Sequence, residues 1–166
     1  MKYSKDGGQT WSRWVPSLVE IAFPVMVWLA SPRRQQRAVF EHTTGGRFNV
    51  DCVLSHDDGY TWGERGGLYS ARNGKISGAP QVYNVWGTLV ASFMTNEDAD
   101  NGYGYDFAEI KVITSVNGGK TWSSSVVTGP AQVRWPGLFN RDPTHFLALY
   151  SREGVGVVSQ LYELTN

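Results

Sequence analysis

Cysteine, net charge and long apolar segments are all scarce in this chain of 166 residues. Cys52 is the single cysteine, which excludes an internal disulfide, and the three histidines have no metal-ligand spacing, so we expect no metal and no cofactor. Fifteen basic and fifteen acidic residues cancel, so charge favours neither nucleic acid nor an anionic membrane as a partner. Neutral polymers such as polysaccharides are the partner class left open.

No segment of the chain is apolar for long enough to span a membrane. The longest apolar run, 21–30, has ten residues and contains Pro24, whereas a membrane helix needs about 20 apolar residues. The run also lies far from Met1 and has no basic segment before it, so it lacks the pattern of a signal peptide. We therefore expect no membrane span and no export signal in the sequence as written.

An eight-residue pattern, Ser-x-Asp/Asn-x-Gly-x-Thr-Trp, occurs three times. Its copies begin at Ser4, Ser55 and Ser115, a spacing of roughly 50 to 60 residues that is typical of a propeller blade. The pattern residues are Ser4, Asp6, Gly8, Thr10 and Trp11; Ser55, Asp57, Gly59, Thr61 and Trp62; and Ser115, Asn117, Gly119, Thr121 and Trp122.

Each residue type in the pattern suits a hairpin turn. An Asp or Asn oxygen accepts backbone N–H bonds across the turn, and the glycine two positions later adopts a positive φ. The closing Trp offers an apolar face that packs the turn on the sheet. These residues resemble the Asp-box of the sialidase superfamily, which implies a structural role away from an active site.

Short runs rich in Val, Ile, Tyr and Phe between turn signals predict an all-β protein without helices. The predicted strands are 48–54, 81–85, 88–94, 109–114, 146–150 and 155–164. When the sequence is aligned on the boxes, each unit consists of an inner strand, a second strand, a third strand, the box turn and an outer strand. The units are 24–69, 78–128 and 135–164, and the last one lacks its outer strand.

Three units make about half of a propeller, because propellers close with four to eight blades. We therefore interpret 1–166 as a single partial propeller domain with two open sheet edges. Unpaired backbone groups at such edges promote association. We expect the chain either to self-associate there or to pair with missing N-terminal blades.

Carboxylates follow the predicted second strand of each unit, in the segments 40–42, 96–98 and 151–153. If these segments are polar loops at equivalent positions, they converge on one mouth of the propeller. Two convergent carboxylates are the requirement for glycoside hydrolysis. Solvated loop acids are the alternative interpretation. Asp51 is a weaker candidate because it lies within a strand.

Longer segments resemble the exo-arabinanases of glycoside hydrolase family ninety-three, in the sialidase clan. The match is good over 37–166 and poor over 1–36, where only the first box fits. The segments that carry it are 38–41, 48–55, 78–82, 87–95 with Glu97 and Asp98, 111–115 and 135–138. The resemblance implies a six-bladed β-propeller that releases arabinobiose from α-1,5-linked arabinan with retention of configuration, in an extracellular setting.

The resemblance also implies site residues. Glu41 matches the acid/base glutamate of the family, and Glu97, Asp98 and Trp135 are candidates for the sugar pocket, although core packing is an equal interpretation of Trp135. The family's nucleophile lies in a Trp-Glu-Pro-Phe-like segment, which this sequence lacks. We therefore expect this truncated chain alone to be inactive.

Residues 13–36 depart from the pattern, because 14–29 is apolar without strand alternation. The codons of 24–31, read two bases later, can spell the Arg-Asp-Gly-Met-Val-Gly-Val that the family has there. This predicts a reading-frame error in a mis-predicted or pseudogene-derived sequence, which transcript sequencing across codons 1–40 would test.

Two other functions stay open. A sialidase needs an arginine triad for its anionic sugar, and candidates are Arg37, Arg47, Arg134, Arg141 and Arg152. A non-catalytic Asp-box module that binds glycan or protein is the third hypothesis, although such modules usually carry disulfides and export signals. Binding to arabinan against sialylated glycans distinguishes the three.

Overall fold

The computed structural model describes residues 4, 6–11, 23–25, 36–57, 60–63, 65–99, 104–127 and 131–165. All regular secondary structure in these residues is β, as predicted. Among them there is no helix with the length and apolar character of a membrane span. The predicted frame-shifted segment 13–36 lies outside the described residues apart from 23–25 and Gln36.

The strands form three antiparallel sheets, which we call blades 1 to 3. Blade 1 contains β1 (Phe23–Val25), β2 (Gln36–Thr44), β3 (Arg47–Ser55) and β4 (Gly66–Tyr69). Blade 2 contains β5 (Ser77–Val85), β6 (Thr88–Thr95), β7 (Glu109–Ser115) and β8 (Val126–Val127). Blade 3 contains β9 (Val133–Asn140), β10 (His145–Arg152) and β11 (Gly156–Glu163). The three predicted units are confirmed, and among the described residues the third has no outer strand.

The core lies between the blades, because alternate residues of each central strand face opposite neighbours. Val39, Val50 and Cys52 of blade 1 pack against Leu89, Ala91, Phe93 and other residues of blade 2. The opposite face of blade 2 packs in the same way on blade 3, where Val90 and Val112 meet Phe146 and Ala148. Successive blades are therefore joined by a repeated apolar interface.

A buried arginine connects blade 1 to the third box. Arg37 on β2 donates from Nε to the carbonyl of Gly118 at 2.6 Å. A Cβ added to Gly119, whose φ is +79°, would overlap the Arg37 side chain. The glycine of this box therefore serves both the turn and the close approach of the neighbouring blade.

Candidate functional site

Glu41 lies on β2, and the residue is 6% exposed. We predicted 40–42 as a polar loop, and this was wrong. β2 continues through these residues to Thr44 and reaches β3 by a two-residue turn, Gly45 and Gly46, with φ of 59° and 77°. Two glycines at positive φ form a tight hairpin, so the strand runs on to the end of the sheet.

The carboxylate of Glu41 is held by blade 2. Its Oε2 accepts a hydrogen bond from the backbone N–H of Ala79 at 2.9 Å and one from the Tyr105 hydroxyl at 3.2 Å. Gly78 lies so close that an added Cβ would overlap both the Glu41 carboxylate and the Tyr105 hydroxyl. The inner strand of blade 2 therefore leaves space for this acid by having no side chain there.

Tyr105 acts as a donor in this contact. Burial raises the pKa of the phenol, and the charge of Glu41 and its hydrogen bond raise it further. The hydroxyl therefore keeps its proton at neutral pH and points it at the carboxylate.

The carboxylate positions predicted in blades 1 and 2 are not equivalent. Ser55 of the second box pairs with Gln36, and Ser115 of the third box pairs with Leu89. Counting five residues along each strand places Glu41 at the position of Met94, three residues before Glu97. This corrects our alignment, which compared second strands by their polar ends without knowing the strand register.

Glu97 lies in the loop after β6, and its side chain is 2% exposed. Lys111 Nζ is 3.0 Å from its Oε2, and the Tyr69 hydroxyl and the Arg72 guanidinium also donate to it. Burial would raise the pKa of Glu97, but these hydrogen bonds outweigh burial and lower it to about 2. The contacts give Glu97 a structural role between blades 1 and 2, and a role in substrate binding stays a prediction.

Two more carboxylates surround Lys111. Asp98 is 2.7 Å and Glu109 is 3.4 Å from its Nζ. Burial would lower the pKa of Lys111, but the hydrogen bonds with Asp98 and Glu97 raise it overall. Burial raises the pKa of Glu109, as does its hydrogen bond with Asp98. One buried cation therefore organises three acids.

Asp51 occupies the other face of blade 1. It pairs with Phe40 in the strand register, whereas Glu41 pairs with Val50, so the two carboxylates point to opposite sides of the sheet. Asp51 is 3.1 Å from Arg65 and 3.5 Å from His42. It does not share a site with Glu41.

Trp135 lies on the inner strand of blade 3 and is 67% exposed. Its φ is +58°, and the register of β9 with β10 shifts beside it. Ala79 has a φ of +47° at the corresponding register shift of blade 2, and a proline follows both residues. Because non-glycine residues rarely adopt this conformation, the exposed Trp135 is held in a strained position.

The second and third box turns lie at the other end of their blades. Thr61 donates from its backbone N–H to Asp57 Oδ1 at 2.8 Å and from its hydroxyl to Oδ2 at 2.6 Å. In the third copy Asn117 Nδ2 instead donates to the Thr121 hydroxyl at 2.7 Å. The hydrogen bonds from Thr61 lower the pKa of Asp57 in the second box. The second box begins opposite Gln36, about 16 Å along β2 from Glu41.

Sequence reasoning missed Tyr105, Lys111 and Arg72. Lys111 carried a signal, because it stands inside the apolar strand 109–114, where a charge needs buried partners. Tyr105 and Arg72 lie in connections whose sequences do not indicate what they contact.

Comparisons with known proteins agree with this geometry at the level of the fold. The BNR/Asp-box repeat model matches residues 2–13. No curated protein sequence matches the chain. A Hadza microbial sialidase superposes with a TM-score of 0.58 at 15% identity, over 83% of this chain and 34% of that one.

An α-L-arabinofuranosidase of glycoside hydrolase family ninety-three from Fusarium graminearum, solved with arabinobiose, superposes with a TM-score of 0.60 at 15% identity. The similarity covers 96% of this chain and 52% of the enzyme. A mutant of the Fusarium graminearum arabinofuranosidase with an iminosugar inhibitor gives a TM-score of 0.61 at the same identity and coverage. The fold is therefore part of a sialidase-type β-propeller, and the chain spans about a third of the sialidase and half of the arabinofuranosidase.

Proposed function

We propose that the chain is part of a glycoside hydrolase that acts on α-1,5-linked arabinan, with Glu41 as the acid/base residue. The observation that supports this is the geometry of Glu41, a buried carboxylate held by two uncharged donors at the junction of two blades. The fold likeness over 96% of the chain to an arabinofuranosidase solved with arabinobiose supports the choice of substrate class.

A glycosidase acid/base must be fixed while it transfers a proton to the leaving oxygen. Oε2 of Glu41 is engaged by Ala79 and Tyr105. We therefore assign proton transfer to Oε1. Trp135 is the residue that we assign to the sugar pocket, because an exposed indole stacks on a sugar face.

A retaining mechanism needs a second carboxylate about 5 to 5.5 Å from the first. Glu97 is paired with Lys111 and Arg72, and Asp51 is paired with Arg65. We propose neither acid as the nucleophile, because a carboxylate that is bound to cations is a weak nucleophile. We therefore expect no release of arabinobiose from linear arabinan by this chain alone. Measurable release that Glu41→Gln abolishes would contradict this expectation.

A positively charged sugar mimic tests the role of Glu41 without turnover. An arabinose-configured iminosugar is cationic, so we expect this chain to bind it more tightly than neutral arabinobiose in an NMR titration. Glu41→Gln should remove that preference. Glu97→Gln is the matched control and should keep it, because Lys111 and Arg72 already neutralise Glu97. A preference that survives in Glu41→Gln would refute the assignment.

A sialidase is the second candidate, because the Tyr105 hydroxyl and Glu41 form a Tyr–Glu pair, and some sialidases use a Tyr nucleophile. The raised pKa of Tyr105 opposes this role. Two of the candidate arginines are also engaged, Arg37 by Gly118 and Arg134 by Asp106. Preferential binding of sialylated glycans over arabinan would favour the sialidase, and binding without any iminosugar preference would favour a non-catalytic module.

The edge of blade 3 is the surface that we propose for self-association or for docking further blades. Val157 and Leu161 on β11 are 77% and 43% exposed. We expect the wild-type chain to elute from size-exclusion chromatography as associated species and Leu161→Lys to shift it toward the monomer. Val116→Lys, at a residue that is 83% exposed in the third box, is the control. A sharp monomeric peak for the wild type would contradict this proposal.

A further inference from the structure

The turn 104–107 between β6 and β7 connects Glu41 to blade 3. It is closed by a hydrogen bond from the Ala108 N–H to the Tyr105 carbonyl at 3.1 Å. The Tyr105 side chain reaches back to Glu41. On the other side, the Ala108 carbonyl accepts a hydrogen bond from the Val133 N–H at 3.0 Å. One short turn therefore contacts both the carboxylate and the inner strand of blade 3.

An ion pair holds the same two segments together a second time. Arg134 Nη2 is 2.9 Å from Asp106 and 3.2 Å from Glu153. Asp106 is thus bound to Arg134, and Ala108 is bound to Val133. Phe107 lies between these two contacts in the chain. Because both of its neighbours are anchored, the position of Phe107 is fixed relative to β9.

Two aromatic side chains stand exposed on these joined segments. Phe107 is 42% exposed, and Trp135, the residue after Arg134, is 67% exposed. We call Phe107 and Trp135 the aromatic rim. Large exposed aromatics on fixed backbone, one of them at a strained φ of 58°, are typical of a binding surface.

We infer that the aromatic rim binds successive units of a neutral sugar chain and that the turn 104–107 aligns them with Glu41. This inference rests on the proposed function for the identity of the sugar. Aromatic faces suit the C–H face of an uncharged furanose ring. The turn contributes Tyr105 to the carboxylate and Phe107 to the rim, so a sugar on the rim lies beside the acid.

The test is an NMR titration of the chain with arabinobiose and with α-1,5-linked arabinotetraose, following the indole N–H signals. We expect the tetraose to bind more tightly than the biose. Trp135→Ala should weaken tetraose binding by about tenfold, and Phe107→Ala should weaken it several-fold, as expected for the loss of one aromatic contact each.

Trp86→Ala is the matched control. Trp86 is 69% exposed and has a φ of 49°, so it resembles Trp135, but it lies on the β5–β6 hairpin, about 23 Å along β5 from Ala79. It should bind the tetraose as the wild type does. Near-ultraviolet circular dichroism of each variant reports that the fold is retained.

Three results would overturn the inference that the aromatic rim binds sugar. They are unchanged affinity in both rim variants, an equal loss in Trp86→Ala, and no sugar binding by the wild type. The iminosugar comparison at Glu41 is independent of these outcomes. A rim-dependent affinity without any iminosugar preference would support the rim and refute the hydrolase assignment. A rim-dependent affinity for a protein rather than a sugar would also overturn the inference.

Discussion

Glu41 and Glu97 are two equally buried residues, each 6% exposed as a whole, whose carboxylates have opposite kinds of partner. Glu97 receives hydrogen bonds from two cations, Arg72 and Lys111, and from Tyr69. The described contacts of Glu41 come from uncharged groups, a backbone N–H and a phenol. Within the part of the chain that the structure describes, one acid is compensated by charge and the other is only oriented.

We interpret the difference as that between a structural acid, Glu97, and the acid/base residue that we propose, Glu41. A buried charge is costly unless it is paired. Pairing at Glu97 stabilises the junction of blades 1 and 2 and makes the carboxylate a poor base. Glu41 lacks such compensation in its described contacts, which fits the acid/base role that we propose for it. Substitutions at the two sites should therefore have different effects on folding.

The largest effect on stability is expected from removing Lys111, the buried cation that contacts Glu97. Lys111→Met leaves Glu97, Asp98 and Glu109 beside one another without the ammonium that joins them. Breaking a buried ion pair from one side costs about 3 to 5 kcal/mol, measured as the free energy of unfolding in urea. Lys120→Met, at an exposed residue, should stay within about 0.5 kcal/mol of the wild type. Equal stability of the two variants would refute the structural assignment.

The pH dependence of stability measures the contribution of the charge of Glu97. Its folded pKa of about 2 lies below the ordinary value of 4.5. The stabilisation is therefore fully present above pH 4.5 and is lost as the pH falls toward 2, up to about 3 kcal/mol.

Glu97→Gln provides the comparison. The difference between the wild type and Glu97→Gln in urea unfolding should shrink over this acid range, because only the wild type loses the contribution. Glu109, whose pKa is raised, is present in both proteins, so the difference reports mainly on Glu97. A difference that stays constant from pH 6 to pH 3 would show that Glu97 carries no such charge.

The close packing around Glu41 is tested through its neighbour Gly78. An alanine there puts a methyl group into the space of the Glu41 carboxylate and the Tyr105 hydroxyl. Displacing two packed, hydrogen-bonded groups should cost about 1 to 3 kcal/mol. In a double-mutant cycle with Glu41→Ala, which opens that space, the cost should fall. Additive costs would mean that Gly78 is not required for the approach of Glu41.

The sequence predicted the sheets better than the contacts. Alternating apolar residues and the box turns located the three blades, including the third, which has no outer strand among the described residues. The partners of Glu41 could not be predicted in this way, because they are 38 and 64 residues away in the chain. Local periodicity records which face a residue occupies but not which blade meets it.

The misplaced loop has a similar cause. A strand that ends in polar residues looks like a strand followed by a loop, and only the pairing of Glu41 with Val50 and of His42 with Asn49 extends β2 to its hairpin. The box spacing named the segment 40–42 as one of three candidates, and only the family resemblance gave Glu41 the acid/base role, because a buried acid in a strand has no local signature.

The smallest effect on stability is expected at the proposed acid/base itself. In Glu41→Gln the amide oxygen still accepts from Ala79 and Tyr105, and the cost of burying a charge disappears. The free energy of unfolding should therefore change by less than about 1 kcal/mol, or rise, while the iminosugar preference is lost. Glu97→Gln should show the reverse, lower stability with the preference intact. A destabilisation of Glu41→Gln as large as that of Glu97→Gln would mean that both carboxylates are structural, and the distinction between them would fail.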